Sequence, residues 1–293
     1  MERTIPLPRG LRQFAVWALL ATYLGGMIYG QRIGLGQVGL GAIVALLYFA
    51  SQATRNFLRT FFPLLLYLLC YDLVHLLPTA WRLPVHVHAL HDWELMLFRT
   101  LPHEWFTQRH WPIVDALATV TYSLHFIGPV LFGLLLWRRD AETTRRFGWA
   151  FFGMNIAAHL IQIGFPTAPP WYVNAHGFAT ADPLLPGDPG GLARVDAALE
   201  MHYFTNMYRM SAIVFGAMPS MHGAWPILMY RFRDGLPRWV GRTLLGYTAL
   251  MWFAAVYLQH HYVVDLLVGG AMALIFAFIH SRRQRGHRSS PRE

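Results

Sequence analysis

Lysine is absent from the 293 residues, cysteine occurs once, and charged side chains make up only 13% of the chain. All 24 basic residues are therefore arginine, and since nothing in membrane physics forbids lysine, its absence reads as codon bias. The single Cys70, inside an apolar segment, excludes an intrachain disulfide and leaves the redox compartment unread. So little charge, with 55% hydrophobic residues and a mean hydropathy of +0.33, argues against an ordinary soluble domain and for a multi-span membrane protein. The formal charge of +9 raises the prospect of nucleic acid. However, the arginines cluster between apolar runs, and no basic stretch is interleaved with the aromatics of a nucleic-acid module. There is no internal repeat.

What is present is apolar length. A window of about 19 residues, enough for a helix to cross the hydrocarbon core, predicts spans near 13–30, 34–51, 60–78, 112–137, 147–165, 211–231, 239–259 and 262–280. The expected fold class is an all-α, polytopic integral membrane bundle of six core helices and two N-terminal ones. The expected division is an N-terminal transmembrane hairpin (1–59), a catalytic membrane domain (60–281) and a disordered basic tail (282–293). The first run follows Arg3, Arg9 and Arg12 but "GGMIYGQRIG" offers no good cleavage site, so it reads as a retained helix. "RRDAETTRR", "RFRDGLPR" and "RRQRGHRSSPRE" fall on the same side as the N-terminus, which puts both termini in the cytoplasm. Of the outer segments, 79–111 suits an amphipathic helix lying on the membrane, and 165–210, rich in Pro and Gly, is a loop long enough to cover a site.

"YLQHHYVVDLLVGG" at 257–270 places two histidines and an aspartate at the edge of an apolar run. A charge inside a bilayer costs several kcal/mol, about 3 on the lenient scales, so such groups are paired and tend to be functional. His261 and Asp265, spaced i, i+4, share a helical face, so the carboxylate can hold one imidazole nitrogen while the other lone pair stays open. That suits an oriented nucleophile or base, and equally a buried pair that merely satisfies itself. "GAMPSMHGAW" at 216–225 tips the balance. Pro219 suits a first helical turn, Ser220 can cap it, and the free amides through Met221 and His222 would receive a phosphate. His222 would then face the same anion as His261, which outlines a phosphoryl-transfer site.

"VDALATVTYSLHF" at 114–126, "FPTAPPWY" at 165–172, "GAMPSMH" and "HHYVVDLLVGG", in this order, resemble the type 2 phosphatidic acid phosphatase superfamily. Within it they are most similar to the inositol phosphorylceramide synthase branch and its bacterial relatives. The resemblance covers roughly residues 90–272 and implies that His261 attacks phosphorus, Asp265 orients it and His222 protonates the departing oxygen. It also implies a departure. Where superfamily phosphatases carry a Lys and an Arg in the first motif, this chain has Ala158 and Phe165, and where they carry Ser-Arg ahead of the nucleophile it has Ala254 and Ala255, so the usual basic phosphate clamp is absent. Arg209, Tyr172, Tyr262 and the amides at 219–222 are the candidates to hold the phosphate instead.

Asp72, His75, Asp115, His159 and Gln162 map to the outer halves of their helices, as the lining of a polar cavity would, though each singly suits a helix-to-helix hydrogen bond. His125, nearer mid-membrane, reads as structural. "HVHALHD" (His86, His88, His91, Asp92) groups ligand-type residues at a spacing that fits no helical or strand face, and His260 with His261 and Asp265 is a lesser metal candidate; neither displaces a metal-free, cofactor-free mechanism. The expected activity is transfer of a phospho-alcohol head group from a membrane phospholipid to a lipid hydroxyl through a phosphohistidine, with no nucleic-acid partner. A lipid phosphatase using water is the nearest alternative, and a lipid transporter the rival from another class, which the absence of repeats disfavours.

Overall fold

The computed structural model describes residues 9–77, 81 and 83–282. The basic tail after Arg282, and the arginines at 3 and 82, lie outside the described residues. No strand is present among the described residues, and only two isolated bridges, His86 with Thr167 and Thr167 with Gly216, break the helical pattern. The chain divides into two compact units, Met1–Pro78 and Thr79–Glu293. The boundary expected at 59/60 falls inside the third helix.

The first unit holds α1 (Arg9–Tyr29), α2 (Leu35–Ala50) and α3 (Gln52–Leu73), with a short 3-10 turn at Val74–Leu76. Ser51 separates α2 from α3 and caps the latter: its hydroxyl accepts from Thr54 N, and Thr54 Oγ1 accepts from Ser51 N. This reciprocal cap satisfies two donors that a helix start leaves open. Tyr23, Met27 and Leu69 form the core of the unit.

The second unit opens with two short helices, α4 (Ala89–Phe98) and α5 (Pro102–Thr107), where one interfacial helix is expected. Met96, Leu97 and Trp105 are exposed on them, as suits elements lying in a membrane surface. Then follow α6 (Pro112–Trp137), α7 (Ala141–Gly164), α8 (Pro170–His176), α9 (Ala193–Ala198), α10 (Tyr203–Arg209), α11 (Met221–Arg231), α12 (Arg238–Tyr257) and α13 (Val263–Arg282). The 165–210 loop is thus partly helical. Among the described residues, Gln52–Leu76, Pro112–Trp137 and Val263–His280 are long and apolar enough to cross a membrane.

One expected span needs correction. Residues 211–231 do not form a full-length helix, because helical structure begins only at Met221 and runs for 11 residues. At about 1.5 Å per residue that is roughly half the thickness of the hydrocarbon core. The preceding 211–220 segment, although apolar, is irregular and its backbone groups are met by other elements. Thr167 N donates to Phe215 O, Met218 N to Thr167 Oγ1, Gln162 Nε2 to Pro219 O and Ser220 N to Asp265 O. Irregular backbone at membrane depth is tolerated where protein surrounds it in this way.

Candidate active site

The site sits where the half-length α11 meets the start of α13, and glycines make the meeting possible. A Cβ on Gly269 would stand 2.0 Å from Ser220 O, and one on Gly223 would stand 2.7 Å from Leu266 O. Any larger residue would push the two helices apart. The "GG" after the aspartate and the "HG" after Met221 are therefore packing requirements of the same junction.

Ser220 caps α11, its hydroxyl accepting from Gly223 N at 3.3 Å. Met221 and His222 occupy the rest of the first turn, where backbone N–H groups have no intrahelical acceptor. Pro219 lies just outside the helix rather than in its first turn, and its carbonyl accepts from Gln162 Nε2 at 3.0 Å. Gln162 Oε1 in turn lies 2.8 Å from His159 Nδ1. These two polar residues of α7 thus brace the loop that carries Ser220.

The other half of the site is built by the end of α12. Gln259 adopts the left-handed conformation (φ 64°), which few non-glycine residues accept. Its side chain is held by Thr107 and Asn174, and its carbonyl accepts from Trp171 N. Beyond this turn the amides of His260 and His261 both donate to Ala255 O, so the two histidines follow the helix end in fixed succession. Burial holds the His260 imidazole down to about 3, a neutral ring at any ordinary pH.

His261 Nδ1 lies 3.1 Å from Asp265 Oδ1, an approach off the line of a well-formed hydrogen bond. Such bonds are often loose in free enzymes and tighten only with substrate. Tyr262 N donates to the other oxygen, Oδ2, at 3.1 Å. The free edge of His261 faces His222, with Nε2 3.1 Å from His222 Nδ1. Asp265 is fully buried and His261 nearly so. The arrangement is a carboxylate behind one imidazole and a second imidazole in front of it.

Glu94 escapes a sequence reading, being one acid in the apolar run "WELMLF". It is fully buried, and its two carboxylate oxygens accept from Val263 N and Val264 N, capping α13 two residues after His261. Burial raises its carboxyl above the usual range, against the lowering by the two amides. Tyr122 and Tyr208 are likewise found only in the structure: Tyr122 stacks on His222 and Tyr208 on His260.

The remaining expected residues are spread more widely. Asp115 accepts from Arg194 Nε (2.8 Å) and Tyr257 OH (2.9 Å), with His110 Nδ1 at 3.4 Å. Tyr262 is buried edge-on to His103, and its hydroxyl has no hydrogen-bond partner among the described residues. Tyr172 donates its hydroxyl to Ala179 O within its own loop, and Arg209 is exposed at the end of α10. Asp72 accepts from Tyr23 OH and Gln37 Nε2 inside the N-terminal unit, which also holds His75. In "HVHALHD", His88 and His91 pack on Phe178 and His86 on Phe165, and no group of three metal-ligating side chains occurs among the described residues.

Comparison with known proteins gives this geometry a context. Residues 85–279 match the model of the PAP2 superfamily. A phosphoinositol dihydroceramide synthase from Bacteroides thetaiotaomicron is 31% identical over 92% of this chain and 91% of its own length. An inositol phosphorylceramide synthase from Candida albicans is 34% identical over 78% of this chain, and the catalytic subunit aur1 of that synthase from Schizosaccharomyces pombe 32% identical over 85%. The chain spans about half the length of the Candida protein (49%) and 59% of the Schizosaccharomyces one. No solved structure matches the chain significantly. His222 on α11, His261 and Asp265 at the start of α13, and α8, which holds the Gln259 turn, all fall inside the matched segment, and the match extends over most of the chain; the protein belongs to the PAP2 superfamily.

Proposed function

We propose that the protein is an integral membrane phosphotransferase that moves a phosphoinositol head group from a phosphatidylinositol-type donor to the hydroxyl of a ceramide-like lipid. The observation that carries this reading is the 3.1 Å approach of His222 Nδ1 to His261 Nε2, with Asp265 behind His261. With its Nδ1–H turned to the carboxylate, His261 presents the Nε2 lone pair. A phosphodiester entering between the two rings meets a nucleophile on one side and a proton donor on the other.

In the first step His261 Nε2 bonds to phosphorus, the bond from phosphorus to the diacylglycerol oxygen breaks, and His222 delivers a proton to that oxygen. In the second, the acceptor hydroxyl gives its proton to His222 and its oxygen bonds to phosphorus, while the P–N bond to His261 breaks. The phosphoryl oxygens face the first-turn amides of α11, at a helix N-terminus suited to an anion. Ala158 and Ala255, fully buried, fill positions where the phosphatases of the superfamily carry basic groups. This favours a diester, which carries less charge than a terminal phosphate. The burial of the His261 imidazole, beside a half-buried His222 whose Nε2 is itself shielded, disfavours water as acceptor. On this reading the site opens to the extracytoplasmic leaflet, both termini are cytoplasmic, and residues 60–281 form the catalytic part.

The test is incubation of the purified protein with labelled phosphatidylinositol and a panel of lipid alcohols, with products resolved by mass spectrometry and with EDTA throughout. A phosphoinositol-bearing acceptor lipid plus diacylglycerol is expected. Release of free inositol phosphate alone would make the enzyme a hydrolase, and absence of any phosphorus transfer would remove the catalytic reading.

A further inference from the structure

The His222 imidazole is held on both faces. Tyr122 and His125 lie three residues apart on α6, and His222 and Trp225 three apart on α11, so each pair shares a helical face. The two pairs interleave. Ring centroids follow one another at 4.1 Å from Tyr122 to His222, 3.9 Å from His222 to His125 and 3.6 Å from His125 to Trp225, all within 27° of parallel. Beyond Tyr122 the column continues to His260 at 5.1 Å and then to Tyr208 at 4.6 Å. Its far end is anchored to α7, because Trp225 Nε1 donates to Asn155 Oδ1 at 2.9 Å and Asn155 Nδ2 to Phe151 O at 2.7 Å.

A ring sandwiched in this way cannot rotate about its χ2 without breaking both contacts. Only its edges remain to act, and one of them is the Nδ1 edge turned to His261. The Tyr122 hydroxyl also lies 3.3 Å from His222 Nδ1. With the two ring planes only 10° apart, however, that oxygen sits over the face of the imidazole and not in the plane of the nitrogen's lone pair. The hydroxyl bonds instead with Tyr208. The contact His125 offers His222 is its face, the rings being stacked at 3.9 Å, and its buried Nδ1 has no hydrogen-bond partner among the described residues.

We propose that Tyr122 and His125 are positioning residues that clamp the His222 imidazole by its two faces and aim its Nδ1 edge at the reacting phosphoryl group. The inference rests on His222 being the acid and base of the proposed reaction. Loss of either face lets the ring turn, and a displacement of about 1 Å at a catalytic group can cost ~10²-fold in rate.

The experiment compares Tyr122→Leu and His125→Leu with the face-retaining Tyr122→Phe and His125→Phe. Each is made alone and combined with His222→Ala, and assayed on a phosphatidylinositol donor and on a p-nitrophenyl phosphodiester whose leaving group needs no proton. The Leu variants are expected to lower kcat on the lipid donor by about 10- to 100-fold with KM little changed. They should act nearly normally in the first half-reaction on the activated donor and cause no further loss in the His222→Ala background. The Phe variants should stay within about three-fold of the parent, because stacked aromatic faces of similar size interchange. Equal losses on both donors, additive losses with His222→Ala, or a Tyr122→Phe as damaged as Tyr122→Leu would each overturn the clamp. If His222→Ala itself turns over the lipid donor at the parent rate, the proposed reaction fails instead.

Discussion

Asp72 and Asp265 are the same residue at the ends of apolar helices, and they are treated differently. Asp72, half-buried at the end of α3, is met by two neutral donors, the Tyr23 hydroxyl and the Gln37 amide. Asp265, fully buried in the first turn of α13, has one oxygen on a backbone amide and the other beside an imidazole whose far nitrogen faces a second imidazole. A carboxylate answered by neutral donors closes a network and fixes helices. One answered by a titratable ring passes its influence to that ring's other edge, which is what chemistry requires.

The sharpest way to break this comparison is to neutralise each carboxylate. Asp265→Asn keeps the shape but lets His261 take the tautomer with its proton on Nε2, so kcat should fall by about 10²–10⁴-fold with the protein still folded. Asp72→Asn should show up in the melting temperature in detergent and not in kcat. Comparable kinetic losses in the two variants would place Asp72 in the reaction as well.

Next in size is the junction that brings the two motifs together. Gly269→Ala puts a methyl group 2.0 Å from Ser220 O, so α11 must shift, at about 1–3 kcal/mol of stability and with a further loss of turnover. Gly246→Ala on α12, where a Cβ meets nothing within 4 Å, should be neutral or slightly stabilising. Thermal unfolding of the two variants beside the parent decides the point. Equal melting temperatures would mean that the close approach of α11 and α13 is not required.

A smaller effect is expected at Glu94. Glu94→Leu removes the acceptor for Val263 N and Val264 N, and loss of a cap costs about 0.5–2 kcal/mol. Since α13 then starts less firmly behind His261, kcat should fall more than KM rises. An unchanged melting temperature would show the cap to be dispensable.

The gentlest test is pH. His103 and His260 are buried and neutral, held down to about 4 and about 3 from an ordinary 6.5. The unfolded chain takes up these protons first, so their contribution is intact above about pH 6.5 and is lost progressively as pH falls towards 4 and 3. Melting temperature should therefore decline below pH 6.5, and His103→Phe should flatten the decline. A His103→Phe protein with the parent's pH profile would remove His103 from the account.

Much of the site was legible because it is local. His261 and Asp265, four residues apart, do meet, although His261 precedes α13 rather than sharing a helical face with Asp265, and the Ser220 cap follows from "PSMH" before an apolar run. The bundle was legible from apolar length, since every predicted span contains helix, but 211–220 shows the limit of that signal. "SAIVFGAMPS" is apolar enough for a membrane helix, yet its backbone is met by Thr167, Gln162 and Asp265, and no window along the chain registers those partners. Glu94 capping α13 across 169 residues, and Tyr122 stacking on His222 across 100, are invisible for the same reason. The i, i+3 spacing of Tyr122 and His125 was readable as a face, but not what the face would touch.

The central claim is that phosphorus is carried on His261, and the direct measurement is to trap it there. Protein incubated with phosphorus-labelled phosphatidylinositol and no acceptor is quenched, digested and mapped by mass spectrometry, alongside His261→Ala and His222→Ala. The account predicts an acid-labile phosphoinositol adduct on the peptide bearing His261, absent in His261→Ala and slow to form in His222→Ala. Adduct on any other residue, or transfer by His261→Ala at the parent rate, would contradict it.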